Sequence, residues 1–179
     1  MRTFARICLF VFVITGAAFA QIPTSGNVFV GYSFSRTNGV GNTTNLNGWE
    51  ASLEGKVLPW IGIVADFGGG YGSGGLPIPC SVGFCNNGGD LRRYTYLFGP
   101  RVSVPVGRFT PFAHALLGAA HINVNGFTDT SFATAIGGGL DYRLIHGVAW
   151  RFQGDALHTN LYGQSGNYFR FSTGIDFRF

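Results

Sequence analysis

The last twelve residues, Tyr168 to Phe179, alternate so strictly that they constrain what the rest of the chain can build. Taken two at a time, Phe169, Phe171, Thr173, Ile175, Phe177 and Phe179 fall on one side, and Tyr168, Arg170, Ser172, Gly174, Asp176 and Arg178 on the other. Side chains of a strand point alternately to its two faces, so this is a strand with one apolar and one charged face. A half-buried strand of a soluble sheet shows the same alternation but rarely sets five large apolar groups on one face. The aromatic face meets either a protein core or lipid.

Composition narrows the choice. At 179 residues, 46% hydrophobic, 16% aromatic and 11% charged, with 29 glycines, the chain is too apolar for a disordered protein and too rich in glycine for an average soluble domain. A single long apolar run opens it. Arg2 and Arg6 precede an apolar segment from Ile7 to Val13, and Ala18-Phe19-Ala20 supplies a small-residue cleavage signal before Gln21. Residues 1–20 are therefore predicted to be a cleaved signal peptide, leaving 21–179 as one folded domain. The alternative, an N-terminal anchor, needs about 20 apolar residues to span a bilayer, and this run is shorter. Cys8 precedes the apolar segment, so a lipoprotein signal is not expected.

Without Arg2 and Arg6 the balance is ten basic against eight acidic residues, a net charge of +2 in place of +4. No nucleic-acid partner is expected from so weak an excess. Cys80 and Cys85 lie in a Gly- and Asn-rich stretch, and in an exported protein such a pair is expected to form a local disulfide. A zinc site would need further ligands, and no histidine neighbours them. No motif calls for a metal or cofactor.

From Gln21 onward the hydrophobic pattern has a period of two. Eight segments stand out, at about 28–35, 48–57, 61–71, 92–103, 108–121, 131–143, 148–160 and 168–179, most near the 9–11 residues of a tilted transmembrane strand. Their connections alternate in length. Those around Pro59, Pro105 and His146 are short, whereas 36–47, 72–91, 122–130 and 161–167 are long and rich in Gly, Asn, Thr and Ser. Short turns at one rim and long loops at the other predict an all-β, eight-stranded antiparallel up-and-down transmembrane barrel, with both termini on the periplasmic, short-turn side.

The charges test this prediction. When each strand's aromatics fix its outer face, the opposite face collects Glu50, Glu54, Asp66, Asp141, Asp155 and Asp176 against Lys56, Arg93, Arg101, Arg143, Arg151, Arg170 and Arg178. An eight-stranded barrel has an interior just wide enough for side chains to fill, so a near-balanced set predicts a paired polar interior. Strand five is read with Phe112, His114, Leu116 and Gly118 inward. A lipocalin-like soluble barrel, apolar inside, would have to place these thirteen charges outside. Trp60, Tyr142, Trp150 and Phe179 near the short turns, and Trp49, Phe67, Tyr94 and Phe169 near the long loops, are expected to form two aromatic girdles.

Phe29-Val30-Gly31-Tyr32-Ser33-Phe34, Gly48-Trp49-Glu50-Ala51-Ser52-Leu53, Val64-Ala65-Asp66-Phe67, Leu97-Phe98-Gly99-Pro100-Arg101, Thr110-Pro111-Phe112-Ala113-His114-Ala115, Gly137-Gly138-Gly139-Leu140-Asp141 and Phe169-Arg170-Phe171-Ser172-Thr173-Gly174 together resemble the outer-membrane beta-barrel domain family, the small OmpA/OmpX-like barrels. The resemblance extends over nearly all of 21–179. It implies a barrel in the bacterial outer membrane, in contact with outer-membrane lipid, whose terminal Phe179 is read by the barrel assembly machinery. Unlike OmpA itself, no peptidoglycan-binding domain is expected after the barrel.

Some small barrels modify lipid, so catalysis has to be weighed. His121, His158, Ser131 and Ser165 fall near the loop rim, but no spacing ties them into a triad. The glycine runs at 68–70 and 137–139 are followed by no helix and are not read as phosphate loops. The expectation is a non-enzymatic barrel serving envelope structure or surface interaction, with an extracellular ligand of the loops as its partner. The alternatives are a narrow solute or ion pore gated by interior ion pairs and, behind it, a lipid-modifying enzyme. On alternation alone, an arginine at Phe171 or Ile175 should cost about 2–4 kcal/mol and block assembly, whereas one at Ser172 should be milder.

Overall fold

A computed structural model describes residues 25–38, 43–80, 83–124, 127–161 and 164–179, with side chains left out at 37–38, 43–44, 73–80, 83–89, 127, 161 and 164–165. The signal peptide predicted at 1–20 lies outside these residues. Eight strands follow in order: β1 (Gly26–Asn38), β2 (Thr43–Leu58), β3 (Ile61–Cys80), β4 (Gly83–Ser103), β5 (Phe109–Val124), β6 (Phe127–Ile145), β7 (Val148–Leu161) and β8 (Gln164–Arg178). Each pairs antiparallel with the next, and β1 pairs with β8, so the sheet closes into an up-and-down barrel with no helix among the described residues. Closure removes both sheet edges and satisfies their backbone groups, which is what an isolated sheet cannot do.

The turns at one end are short. Pro59 and Trp60 join β2 to β3, Val104 to Arg108 join β4 to β5, and His146 and Gly147 join β6 to β7. Gly147, with φ near +80°, occupies left-handed backbone that a side chain would strain. At the other end the expected long loops are corrected: the strands continue through most of them. Pairing runs up to Asn38↔Thr43, Val124↔Phe127 and Leu161↔Gln164. The longest, 72–91, becomes a ribbon. β3 pairs with β2 only to Tyr71, and β4 reaches β5 only from Leu91, yet β3 and β4 stay paired out to Cys80↔Gly83. Hydrogen bonding needs no apolar face, so the ladder outlasts the alternation that marked its membrane-length part.

Burial alternates along the strands, and strand β5 shows it without a break from Phe109 to Leu117. Outside lies an apolar belt that includes Val30, Leu53, Ile63, Phe98, Phe132 and Ile136, the last 71% exposed. Inside, the surface is divided. One side of the wall is apolar, with Val64, Leu97, Leu116, Ala133, Ala135 and Leu157 packed together. Leu46, Leu91, Ile122 and Val124 form a second buried cluster toward the long-hairpin end. Elsewhere the interior is polar and charged, with the buried rings of Phe29 and Phe112 set among the charges.

Candidate functional site: the paired interior

The centre of the interior is organised by one side chain. Arg170, projecting inward from β8, sends Nη1 to Asp66 Oδ1 on β3 at 2.9 Å and Nη2 to Asp155 Oδ2 on β7 at 2.7 Å. Its Nε lies 3.2 Å from Glu50 Oε2 on β2. The three carboxylates are fully buried, so the guanidinium's planar fork replaces the water they would otherwise hold. Gln153 donates to Glu50 Oε1 at 2.7 Å and to Asp155 Oδ2 at 3.0 Å, and Ser172 donates to Glu50 Oε2. His114 Nε2 sits 2.8 Å from Asp155 Oδ1, which fixes it as a buried partner of the cluster.

A second cluster fills the short-turn half. Arg151 donates to both oxygens of Asp141, from Nε at 2.7 Å and Nη2 at 2.9 Å, and its Nη2 lies 2.8 Å from Asp176 Oδ1. Arg178 bridges the same two acids, with Nη2 to Asp141 Oδ2 at 2.8 Å and Nε to Asp176 Oδ2 at 3.1 Å. On the facing wall, Glu54 accepts from Arg101 Nη1 at 3.1 Å and pairs with Lys56. The buried rings of Phe29 and Phe112 separate these groups. The Arg101 guanidinium lies 4.4 Å from the Phe112 centroid, and that of Arg151 4.8 Å from Phe112 and 5.1 Å from Phe29. A cation over an aromatic face keeps part of its electrostatic stabilisation out of water.

Arg93 is buried with its guanidinium 3.6 Å from the Tyr168 ring centroid. Arg143 is a correction. It is exposed, because it lies at the end of β6 where the ladder slips between Arg143 and Ile145 and the inward face has run out into the turn. Of the charges predicted to face inward, six acids, at 50, 54, 66, 141, 155 and 176, and six bases, at 56, 93, 101, 151, 170 and 178, are then buried or half-buried. Equal numbers matter in a space where an uncompensated charge costs several kcal/mol.

The eight expected girdle residues all point outward. Trp60, Tyr142, Trp150 and Phe179 lie in or within a few residues of the short turns; Trp49, Phe67, Tyr94 and Phe169 lie farther along. Trp150 Nε1 donates to Thr173 Oγ1 at 2.8 Å, and Phe67 meets the edges of Tyr96 and Phe98. Of the histidines weighed for catalysis, His121 bonds Thr130 at 2.7 Å and His158 bonds Asn167 at 2.6 Å, each with its own neighbouring strand. His146 is exposed in a short turn. The side chains of Cys80, Cys85 and Ser165 lie outside the described residues. Among the described residues, no group of three or more His, Cys, Asp or Glu is arranged to hold a metal ion.

Sequence reasoning missed the interior role of Phe29 and the apolar side of the wall. Phe29 belongs to a strand whose both faces carry aromatics, Phe29 and Tyr32, so parity alone did not rank them. The signal for the apolar side was size: Ala133, Ala135 and Gly137 on β6 are too small to reach the barrel axis, which leaves that space to longer side chains opposite.

No family model matches the sequence, and no curated protein does. Solved structures do match the fold. Neisserial surface protein A superposes with a TM-score of 0.68 at 11% identity, covering 86% of this chain and 97% of that one. Ail, the attachment invasion locus protein of Yersinia pestis, gives 0.55 at 17% identity over 87% of this chain and 98% of that one. The N-terminal β-barrel domain of Pseudomonas aeruginosa OprF gives 0.52 at 15% identity, over 86% and 99%. The chain therefore has the closed eight-stranded fold of these small outer-membrane barrels.

Proposed function

We propose that this protein is a small barrel of the bacterial outer membrane that acts through its long hairpins, in envelope structure or surface interaction, with no chemistry of its own. The observation that carries this reading is the pairing of a continuous apolar belt outside with a closed ion-paired interior inside. A belt that runs round the barrel far exceeds the few hundred Å² of contiguous apolar surface a soluble monomer tolerates, and lipid is the medium that suits it. Arg170, Glu50, Asp66 and Asp155 meet across the interior and leave the sheet's outer, hairpin-bearing end as the part free to meet a partner. The β3–β4 ribbon extends farthest and is the element we assign to that contact; Ail has been crystallised in complex with the heparin analogue sucrose octasulfate, a precedent for a sulfated-sugar ligand on this fold. Export through a cleaved leader, insertion by the barrel assembly machinery and a Cys80–Cys85 disulfide in the ribbon belong to the same proposal.

The second reading is a narrow pore gated by rearrangement of the Arg170 cluster. Planar-bilayer conductance separates them. The structural reading expects no steady unitary openings. Steady openings that change with Glu50→Ala or Arg101→Ala would replace it with the pore. Slower gel migration after heating than before tests the closed barrel in the same preparation.

A further inference from the structure

Six of the chain's eight acids are buried in the interior, and the other two, Asp90 and Asp129, lie on β4 and β6 toward the long hairpins. The short-turn rim nevertheless carries two exposed bases on one rung. Arg108 ends the β4–β5 turn, and Arg143 lies opposite it on β6, its backbone N–H donating to the Arg108 carbonyl at 2.8 Å. Neither guanidinium has a hydrogen-bond or ion-pair partner among the described residues. Like charges directly opposite each other in an antiparallel pair destabilise it, so this rung gains from an anion that the chain itself does not provide.

The surroundings say what kind of anion. Turns that project into water favour polar residues, yet the two turns beside this rung expose Val104, Val106, Leu144 and Ile145. The next rung toward the barrel middle is Phe109↔Tyr142, whose rings lie 5.2 Å apart; one strand step, about 3.3 Å, separates it from the arginines. An apolar surface edged by bases matches the boundary between acyl chains and headgroups, where long cationic side chains reach out to phosphate. A free phosphate ion would engage the arginines and leave the four apolar side chains in water.

We propose that the Arg108–Arg143 rung is a binding site for an anionic phospholipid of the leaflet at the short-turn rim. The two guanidiniums receive its phosphate through paired N–H groups that match two phosphate oxygens, and its acyl chains lie along Val104, Val106, Leu144 and Ile145. Bound there, the lipid offsets the repulsion across the last rung of the β5–β6 pair. The site rests on the membrane reading proposed above.

The test uses Trp150, one residue from the register partner of Arg143, as the single reporter after Trp49→Phe and Trp60→Phe. The barrel is refolded into phosphatidylcholine vesicles holding the same minor fraction of acyl-brominated lipid, phosphatidylglycerol in one arm and phosphatidylcholine in the other. Because the bromines sit at one depth in both, stronger quenching by phosphatidylglycerol reads its enrichment at this rim. Enrichment is expected, and the relative association constant should fall about fivefold in Arg108→Gln and likewise in Arg143→Gln. Both arginines are exposed, so neither substitution disturbs the ion-paired interior. Arg92→Gln, exposed at the far end of β4, should behave as the parent does. Inorganic phosphate at constant ionic strength should leave the enrichment unchanged; displacement of the lipid would overturn the proposal in favour of a free-phosphate site. Equal quenching by the two lipids in the parent, or enrichment unchanged in both arginine variants, would overturn the site and leave the barrel reading intact. Quenching by neither lipid would overturn the membrane reading and the site together.

Discussion

Arg170 on the last strand and Asp66 on the third meet at 2.9 Å across the barrel interior, 104 residues apart in sequence. No local segment could hold that pair, so it forms only when the sheet has closed. Because Arg170 also serves Glu50 and Asp155, Arg170→Gln strands three buried carboxylates and should lower stability by about 3–5 kcal/mol in urea unfolding from micelles. Arg143→Gln, at the exposed end of β6, should stay within about 0.5 kcal/mol of the parent. Equal losses for the two would mean that the interior assignment of Arg170 or the exposed one of Arg143 is wrong.

The outer belt predicts a different sensitivity. Ile136 and Phe171 are exposed on the apolar face, and an arginine at either should cost about 2–4 kcal/mol near the bilayer midplane. Yield of heat-modifiable protein in membranes measures it. Alternation makes Ser172→Arg the milder change, and its cost comes from packing: Ser172 is fully buried and donates to Glu50. An arginine there overpacks a filled interior and should also reduce the yield.

The closing seam has its own requirement. Gly31 on β1 and Gly174 on β8 are register partners, and a Cβ on Gly174 would lie 2.3 Å from the Gly31 Cα and from the Val30 carbonyl oxygen. Backbone cannot yield as a side-chain tip can. Gly174→Val should therefore slow or prevent closure, read as loss of the fast-migrating band, whereas Gly166→Val, with open space around the added Cβ, should not.

The exposed-rim histidines separate a structural barrel from a lipid-modifying one. His121→Ala and His158→Ala each remove one hydrogen bond to a neighbouring strand. Under the proposed function, mass spectra of envelope lipid from cells expressing either variant match those from the parent. A lipid product present with the parent and lost in the variants would make the protein an enzyme.

Much of this was legible in the chain because a transmembrane strand must obey period two. Tyr168 to Phe179 alone displayed both faces, and Glu50, Asp66, Asp155 and Arg170 fell on one parity in four strands. The register that brings them together was not legible, since pairing of β3 with β8-borne Arg170 depends on side-chain reach across the lumen and not on neighbouring strands. The ribbon at 72–91 escaped for another reason. Outside lipid a ladder can run through Gly, Pro and Asn without alternation, so its residues read as loop. Arg143 followed the parity rule to the place where the strand slips and the rule ends.

The central claim is that the apolar face meets lipid while the charged face is sealed inside, and the three tryptophans report on it directly. Trp49, Trp60 and Trp150 are the chain's only tryptophans, and all three are exposed on the outer face at 41%, 51% and 42%. The barrel should be refolded into bilayers of lipids brominated at a series of acyl depths, and its fluorescence compared with that in plain bilayers. The account predicts strong quenching by bromines placed shallowly, near the two interfaces, with weaker quenching by those at the midplane and little by aqueous iodide. Fluorescence untouched by brominated lipid at every depth and quenched by iodide would put the aromatic face in water and contradict the account.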